Sequence, residues 1–242
     1  DLMRTLGVRT GELHTALAAT TGNADFDPEP ISRTDIECWV AQVADEANQT
    51  FDLLAQSDSR EDQDVSALLA AREALMTRIR ASATAALDGL KTRYHGDYHL
   101  GQVLLAHNDF VIIDFEGEPA RTLEERRIKH TPLKDVAGML RSFNYAAYAA
   151  LFDATEDQPP DLAQLEPRAQ EWERVTAEAF LAGYAEGARD CPAYPRDADH
   201  ARRLIELFTL EKAFYEVRYE LANRPKWLAI PVKGLLTILD PK

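Results

Sequence analysis

Two short segments, close together in sequence, limit what this chain can fold into. His95-Gly96-Asp97-Tyr98-His99-Leu100-Gly101-Gln102 reads as a polar turn. Phe110-Val111-Ile112-Ile113 reads as an apolar strand closed by Asp114-Phe115-Glu116. Between them, Val103-Leu104-Leu105 and His107-Asn108-Asp109 complete a compact hairpin signal. A hairpin folds the chain back on itself, so Asp97 and Asp114 can be close in space. Two acids and an amide in this order are what phosphoryl transfer needs on one side of its cleft. Asp97 would orient a hydroxyl and take its proton late in transfer, and Gln102 and Asp114 would offer hard oxygens to Mg²⁺.

An Asp at a strand end is commonly an ordinary turn carboxylate; the joint pattern carries the functional reading. His95 and His99 flank Asp97 as H-x-D-x-H, which also fits a transition-metal hydrolase. The remaining histidines (His14, His107, His130, His200) supply no second H-x-H or H-x-x-x-H. His95 is expected to pack under the loop and fix its backbone through ring hydrogen bonds. His99 is expected to position Asp97 or substrate, or to be a satisfied structural histidine.

The chain has 242 residues, 45% of them apolar, enough for one large domain or a large lobe. A net charge of −14 argues against a nucleic-acid or anionic-membrane surface but not against ATP, whose phosphates Mg²⁺ can offset. Cys38 and Cys191 form no C-x-x-C pair, which points to a reduced, cytoplasmic protein. No apolar run approaches the ~18 residues that span a bilayer. The first residue is Asp, and the chain is expected to be a piece of a longer one.

Hydrophobic spacing predicts helices over 2–20, 34–54 and 65–87, the second opened by a capping box at Thr34-Asp35-Ile36-Glu37. Residues 21–33 and 117–131 read as loops. Thr131-Pro132 starts another helix, and roughly 161–187, 197–222 and 233–239 follow, punctuated by Pro159-Pro160, Pro192, Pro195, Pro225 and Pro231. The expected fold is mostly α with one small β-hairpin, divided into a helical subdomain (1–93), a catalytic segment (94–145) and a helical substrate-side subdomain (146–242).

The motifs resemble the aminoglycoside-phosphotransferase-like kinases, and more narrowly the maltokinases, including the kinase region fused to trehalose synthase. His95-Gly96-Asp97-Tyr98-His99-Leu100-Gly101-Gln102-Val103 is similar to their catalytic loop, with Gln where most kinases have Asn. Asp114-Phe115-Glu116-Gly117-Glu118-Pro119 is similar to their metal-binding D-F-G. Pro132 to Phe143 resembles the helix that follows, and Leu6 to His14 the first helix of the C-terminal lobe. The resemblance implies a protein kinase-like C-terminal lobe with Asp97 as base, Gln102 and Asp114 as Mg²⁺ ligands, and Asp135 holding the catalytic loop. Glu116 would be a sugar-facing or supporting carboxylate, or a plain loop residue.

Lys212, Tyr215, Glu216 and Tyr219 share one face of a predicted helix. They could hold a sugar, rings against its face and charges on its hydroxyls, or form an aromatic core stripe. Trp227 and the cluster Arg121, Arg126, Arg127 and Lys129 read as core and solvated loop. No glycine-rich phosphate loop and no strand bearing a paired Lys precedes residue 94, so the ATP-grasping N-terminal lobe is expected to be absent and the piece alone inactive. The resemblance implies ATP-dependent phosphorylation of maltose to maltose 1-phosphate, with an N-terminal kinase lobe and a fused trehalose synthase as partners. The alternatives are a related kinase for another sugar or aminosugar, and a non-catalytic α-glucan- or maltose-binding module.

Overall fold

A computed structural model describes residues 1–84, 88–119, 121–155 and 162–239. Helices dominate, as expected: α1 (Leu2–Leu17), α2 (Arg33–Gln56), α3 (Gln63–Ala70), α4 (Arg72–Ala81), α5 (Leu123–Arg126), α6 (Leu133–Thr155), α7 (Leu162–Gly187), α8 (Ala198–Asn223) and α9 (Ala229–Leu239). The strands form two separate antiparallel pairs. One is β1 (Glu29–Pro30) with β2 (Leu90–Lys91); the other is the hairpin β3 (Val103–Ala106) with β4 (Asp109–Ile112), in the register Val103↔Ile112 to Ala106↔Asp109. The hairpin turns on His107 and Asn108, both at positive φ, as a two-residue reversal requires. No helix among the described residues is long and apolar enough to cross a membrane.

The chain divides into two compact units, each built from two stretches of sequence. The first comprises Asp1–Ile31 and Asp88–Ala201. Its main joint is α1 against α7, where both helices carry glycines four residues apart: Gly7 and Gly11 on one, Gly183 and Gly187 on the other. A Cβ on Gly7 would lie 2.0 Å from the Phe180 carbonyl oxygen, and one on Gly183 would lie 2.0 Å from that of Arg4. The two backbones therefore touch directly. Around this crossing Leu6, Phe143, Phe180 and Tyr184 are sealed from solvent, with Phe143 and Phe180 edge to face at 5.5 Å.

The second unit comprises Ser32–Leu87 and Arg202–Lys242. Its core draws on Ile36, Val43, Phe51 and Leu54 of α2, Leu75 and Ile79 of α4, and Leu207, Phe214 and Val217 of α8. Trp39 meets Phe208 and Phe51 meets Phe214, both edge to face. Arg78 donates to Glu206 and to the Ile238 carbonyl, and Arg218 donates to Glu46 and Thr50, so two guanidinium groups tie helix to helix.

Three local expectations shift. The capping box of α2 is Ser32 with Asp35, reciprocal at 3.2 and 2.8 Å, not Thr34 with Glu37. The helix expected over 65–87 breaks at Ala71, where Arg72 turns to Asp52 and Asn48 at 3.0 and 2.8 Å and lays its guanidinium over Phe51. The end of that helix at Leu87, and Pro159-Pro160, lie outside the described residues. The loops at 21–33 and 117–131 contain a short strand and a capped helical turn, Thr122 with Glu125 closing the latter.

Gly7→Ala should cost at least about 2 kcal/mol of unfolding free energy, because a methyl group there must push the helix backbones apart; urea denaturation measures it. A second expectation concerns Glu173 of α7, which accepts from the Asn144 amide of α6 at 2.8 Å. Burial pushes its carboxyl above the usual range, against the opposing pull of Asn144 and Arg141. A raised carboxyl pKa means the folded state binds the proton more tightly than the unfolded chain, so the ionised group costs stability at neutral pH. Glu173→Gln should therefore stabilise the protein at pH 7, and the gain should vanish as pH falls to the unfolded carboxyl pKa, as urea titrations at the two pH values would show.

Candidate active site

One face of α6 builds the loop that carries Asp97. Asp135, Gly138 and Ser142 stand at i, i+3 and i+7, so they line up along the helix. Asp135 accepts the backbone N–H groups of His95 and Gly96, at 2.7 Å on Oδ2 and 2.9 Å on Oδ1. Gly138 has no side chain to block the Tyr98 carbonyl, which would stand 2.7 Å from a Cβ there. Ser142 Oγ accepts the Leu100 N–H at 3.0 Å. Tyr98 is buried, and its hydroxyl lies 2.8 Å from Thr10 Oγ1 on α1. Burial pushes that phenol well above its ordinary range, so it stays protonated.

The hairpin brings Asp114 to this loop. His95 Nε2 lies 2.8 Å from the Ile113 carbonyl, while Nδ1 accepts the Asp97 N–H at 3.3 Å. The ring thus carries its hydrogen on Nε2 and joins the backbone of Asp97 to the residue before Asp114. The Gln102 carbonyl accepts the Ile113 N–H at 3.0 Å, and Gln102 Nε2 donates to Asp114 Oδ2 at 3.0 Å. Gly96 and Gly117, both at positive φ, also meet, a Cβ on the former standing 3.4 Å from the Cα of the latter. Asp114 itself sits at φ 62°, in the left-handed region that short polar residues tolerate best. Arg9 of α1 grips Asp109 with both arms of its guanidinium, at 2.8 and 2.9 Å, and steadies the hairpin. That grip holds the Asp109 carboxyl below its ordinary range.

Asp97 is largely covered, its side chain 19% exposed, and Oδ2 lies 3.8 Å from His99 Nε2. His99 Nδ1 accepts the Gly101 N–H at 3.0 Å, so its protonated Nε2 faces Asp97. His95 has both ring nitrogens engaged with backbone, and no group of three or more His, Cys, Asp or Glu among the described residues could hold a metal ion. The H-x-D-x-H pattern therefore does not assemble a zinc-type ligand set. Gln102 and Asp114 are adjacent, joined by the Gln102 Nε2–H on Asp114 Oδ2, and the amide oxygen of the one and the carboxylate of the other are the hard oxygens that would suit Mg²⁺.

Glu116 follows Asp114 on an exposed turn, and its carbonyl is one of three that receive Arg126; those of Arg121 and Pro119 are the others, both at 2.9 Å. Lys129 donates to Glu29 and to the Ala24 carbonyl, both at 2.6 Å. Arg126 and Lys129 thus tie the loop rather than standing in solvent. In the second unit, Lys212 stands over the Tyr215 ring, Tyr215 stacks with Tyr219, and Arg224 faces both Tyr219 and Trp227. Tyr219 is exposed and Glu216 is buried, the reverse of an aromatic core stripe with exposed charges.

Two residues of the site's support went unforeseen: His14 of α1 and Tyr184 of α7, which continue the hydrogen bonding from Asp135 inward. The sequence holds one signal for them, the paired G-x-x-x-G spacings beside each.

No protein-family model matches the chain. It is similar to a glucosamine kinase of Streptacidiphilus jiangxiensis, 24% identical over 241 residues, covering 98% of this chain and 49% of that protein. A glucosamine kinase of Mycolicibacterium smegmatis is 28% identical over 242 residues, covering 99% and 54% respectively. The chain thus spans about half the length of the curated relatives it matches. It shares its fold with a solved glucosamine kinase in complex with glucosamine, ADP and inorganic phosphate, at a TM-score of 0.78 and 22% identity over 98% of this chain and 51% of that one. A solved glucosamine kinase in its crystal form B gives a TM-score of 0.77 at 23% identity, over 99% of this chain and 52% of that one.

These relatives overturn the maltokinase resemblance, and with it maltose as acceptor, maltose 1-phosphate as product and trehalose synthase as partner. The expectation that the piece alone is inactive rested on the missing phosphate loop and paired Lys, and these relatives lend it no support. The physical reason is that the catalytic-loop motif serves phosphoryl transfer, which sugar kinases share, and does not encode the acceptor.

Asp135→Asn should remove one acceptor from two backbone N–H groups and a histidine. A loss of about 2–3 kcal/mol is expected from hydrogen bonds to a buried charge. Denaturant titration, with amide exchange at residues 95 and 96, checks it.

Proposed function

We propose that this chain carries the acceptor-activating side of an ATP-dependent kinase for an aminosugar of the glucosamine type. The observation that supports this best is the His95 ring, which takes the Asp97 N–H on one nitrogen and reaches the Ile113 carbonyl with the other. It ties a candidate base to the strand end that bears Asp114, beside Gln102. The names of the relatives add the substrate class: both are glucosamine kinases, and one solved structure of that name holds glucosamine, ADP and phosphate.

Asp97 would accept a hydrogen bond from the attacking sugar hydroxyl and take its proton late in transfer. His99, with Nε2–H toward Asp97, would hold the carboxylate in line with that hydroxyl. Gln102 and Asp114 would hold Mg²⁺, which would supply positive charge to offset that of the phosphates. Asp135 would keep the loop in place through His95 and Gly96. An aminosugar carries an ammonium group, and Glu116, exposed two residues beyond Asp114, is the candidate counter-charge.

The test is a coupled assay of the complete gene product with ATP, Mg²⁺ and a panel of glucosamine, N-acetylglucosamine and glucose. Glucosamine should be turned over best, because acetylation removes the charge that a carboxylate would read. Asp97→Asn should lower kcat by about a thousandfold, the scale of general-base catalysis, with melting temperature unchanged. Turnover of glucosamine undiminished in Asp97→Asn would end the proposal.

A further inference from the structure

A file of buried polar side chains runs inward from the candidate site, and the proposed chemistry makes no use of it. The Asp135 carboxylate has a third partner, His14 Nε2, 3.2 Å from Oδ2, and His14 Nδ1 lies 3.0 Å from the Tyr184 hydroxyl. His14 is 0%, Asp135 2% and Tyr184 1% exposed. The three come from α1, α6 and α7, and their meeting depends on the glycine contact of α1 with α7, since Gly11 lies one turn before His14 and Gly183 directly precedes Tyr184. Burying polar groups is costly, and apolar residues would fill the same crossing without that cost.

Hydrogen-bond chemistry gives the file a direction. A carboxylate only accepts, so His14 Nε2 carries the hydrogen it shares with Asp135. In the neutral ring Nδ1 is then an acceptor, and the Tyr184 hydroxyl donates to it. Burial holds that phenol well above its ordinary range, so its proton is retained. Donation therefore runs from Tyr184 to His14 to Asp135, and Asp135 also accepts the N–H groups of His95 and Gly96. Such a chain polarises cooperatively, and a third donor fixes the rotation that two backbone donors leave open.

We propose that His14 and Tyr184 are positioning residues, which lock the Asp135 carboxylate and through it the placement of the Asp97 loop. The inference rests on Asp97 being the base of the proposed kinase reaction. A base displaced by a fraction of an ångström loses rate without losing substrate, so the signature falls on kcat.

Four variants of the complete gene product test it: Asp97→Asn, His14→Leu, His14→Gln and Tyr184→Phe. Kinetics, amide exchange at His95 and Gly96, and melting are measured on each. His14→Leu should lower kcat about tenfold or more while both KM values stay within about twofold, the split expected of lost positioning. Protection of the His95 and Gly96 amides should fall about tenfold, local to that loop. His14→Gln should restore both, because its amide N–H can take the place of Nε2–H. Tyr184→Phe, which keeps the ring and removes only the hydroxyl, should show the same split in milder form. Unchanged kcat and unchanged protection in folded His14→Leu and Tyr184→Phe would overturn the inference, as would lower melting with kcat intact. Should His14→Leu fail to fold, Tyr184→Phe and His14→Gln decide by the same two readouts. Activity retained in Asp97→Asn would instead remove the kinase reading, and the amide exchange would still judge whether the file orders the loop.

Discussion

The Asp135 carboxylate is the point on which the first unit turns. It is buried, and it accepts from two consecutive backbone N–H groups and one imidazole. A buried anion is tolerable only when it is this well supplied with donors. The same supply shapes the loop around it: His95 and Gly96 must point their amides at one carboxylate, which bends the chain and sets where Asp97 begins. Gly138 and Ser142 extend the template, so a single helix face receives residues 95 to 100 in order.

The hairpin then works as a return path. Its register is short and regular, and its importance lies at its two ends. Gln102 precedes the first strand, Asp114 follows the second, and they meet because the chain reverses between them. His95 stitches the reversal to the loop. Candidate base and candidate metal ligands are thereby set by backbone contacts, whereas the acceptor contact proposed above would come from a side chain. That division explains how a catalytic loop can be common to kinases of different acceptors, and why its spelling pointed to maltose while the relatives carry the name of glucosamine.

Local signals in the sequence were legible where local physics decides. The hairpin, the polar loop and the long helices follow from period, turn residues and caps. Where two local answers compete, the sequence alone was ambiguous. The capping box that the sequence suggests, Thr34-x-x-Glu37 with its usual Glu at the third position, is not the one that forms: Ser32 and Asp35 close the helix instead. The break at Ala71 has no Gly or Pro to announce it, since Arg72 reaches Asp52 and Asn48 on another helix. His14 and Tyr184 were invisible for the same reason, their partners being 121 and 170 residues away. The glycine pairs were in plain view, but spacing alone does not say which two helices will touch.

Contact of bare backbone against bare backbone also makes α1 and α7 a gauge. Side chains between helices can re-pack to absorb a shift, whereas two carbonyl ridges seated against glycines cannot. The helices are thereby indexed to each other like teeth of a rack. Every residue on α1 inherits that index, His14 and the hairpin-gripping Arg9 included. Adding or deleting one residue between Gly11 and His14 would swing the imidazole by about 100° around the axis. Substitution along that segment can be generous, but its length is fixed by geometry.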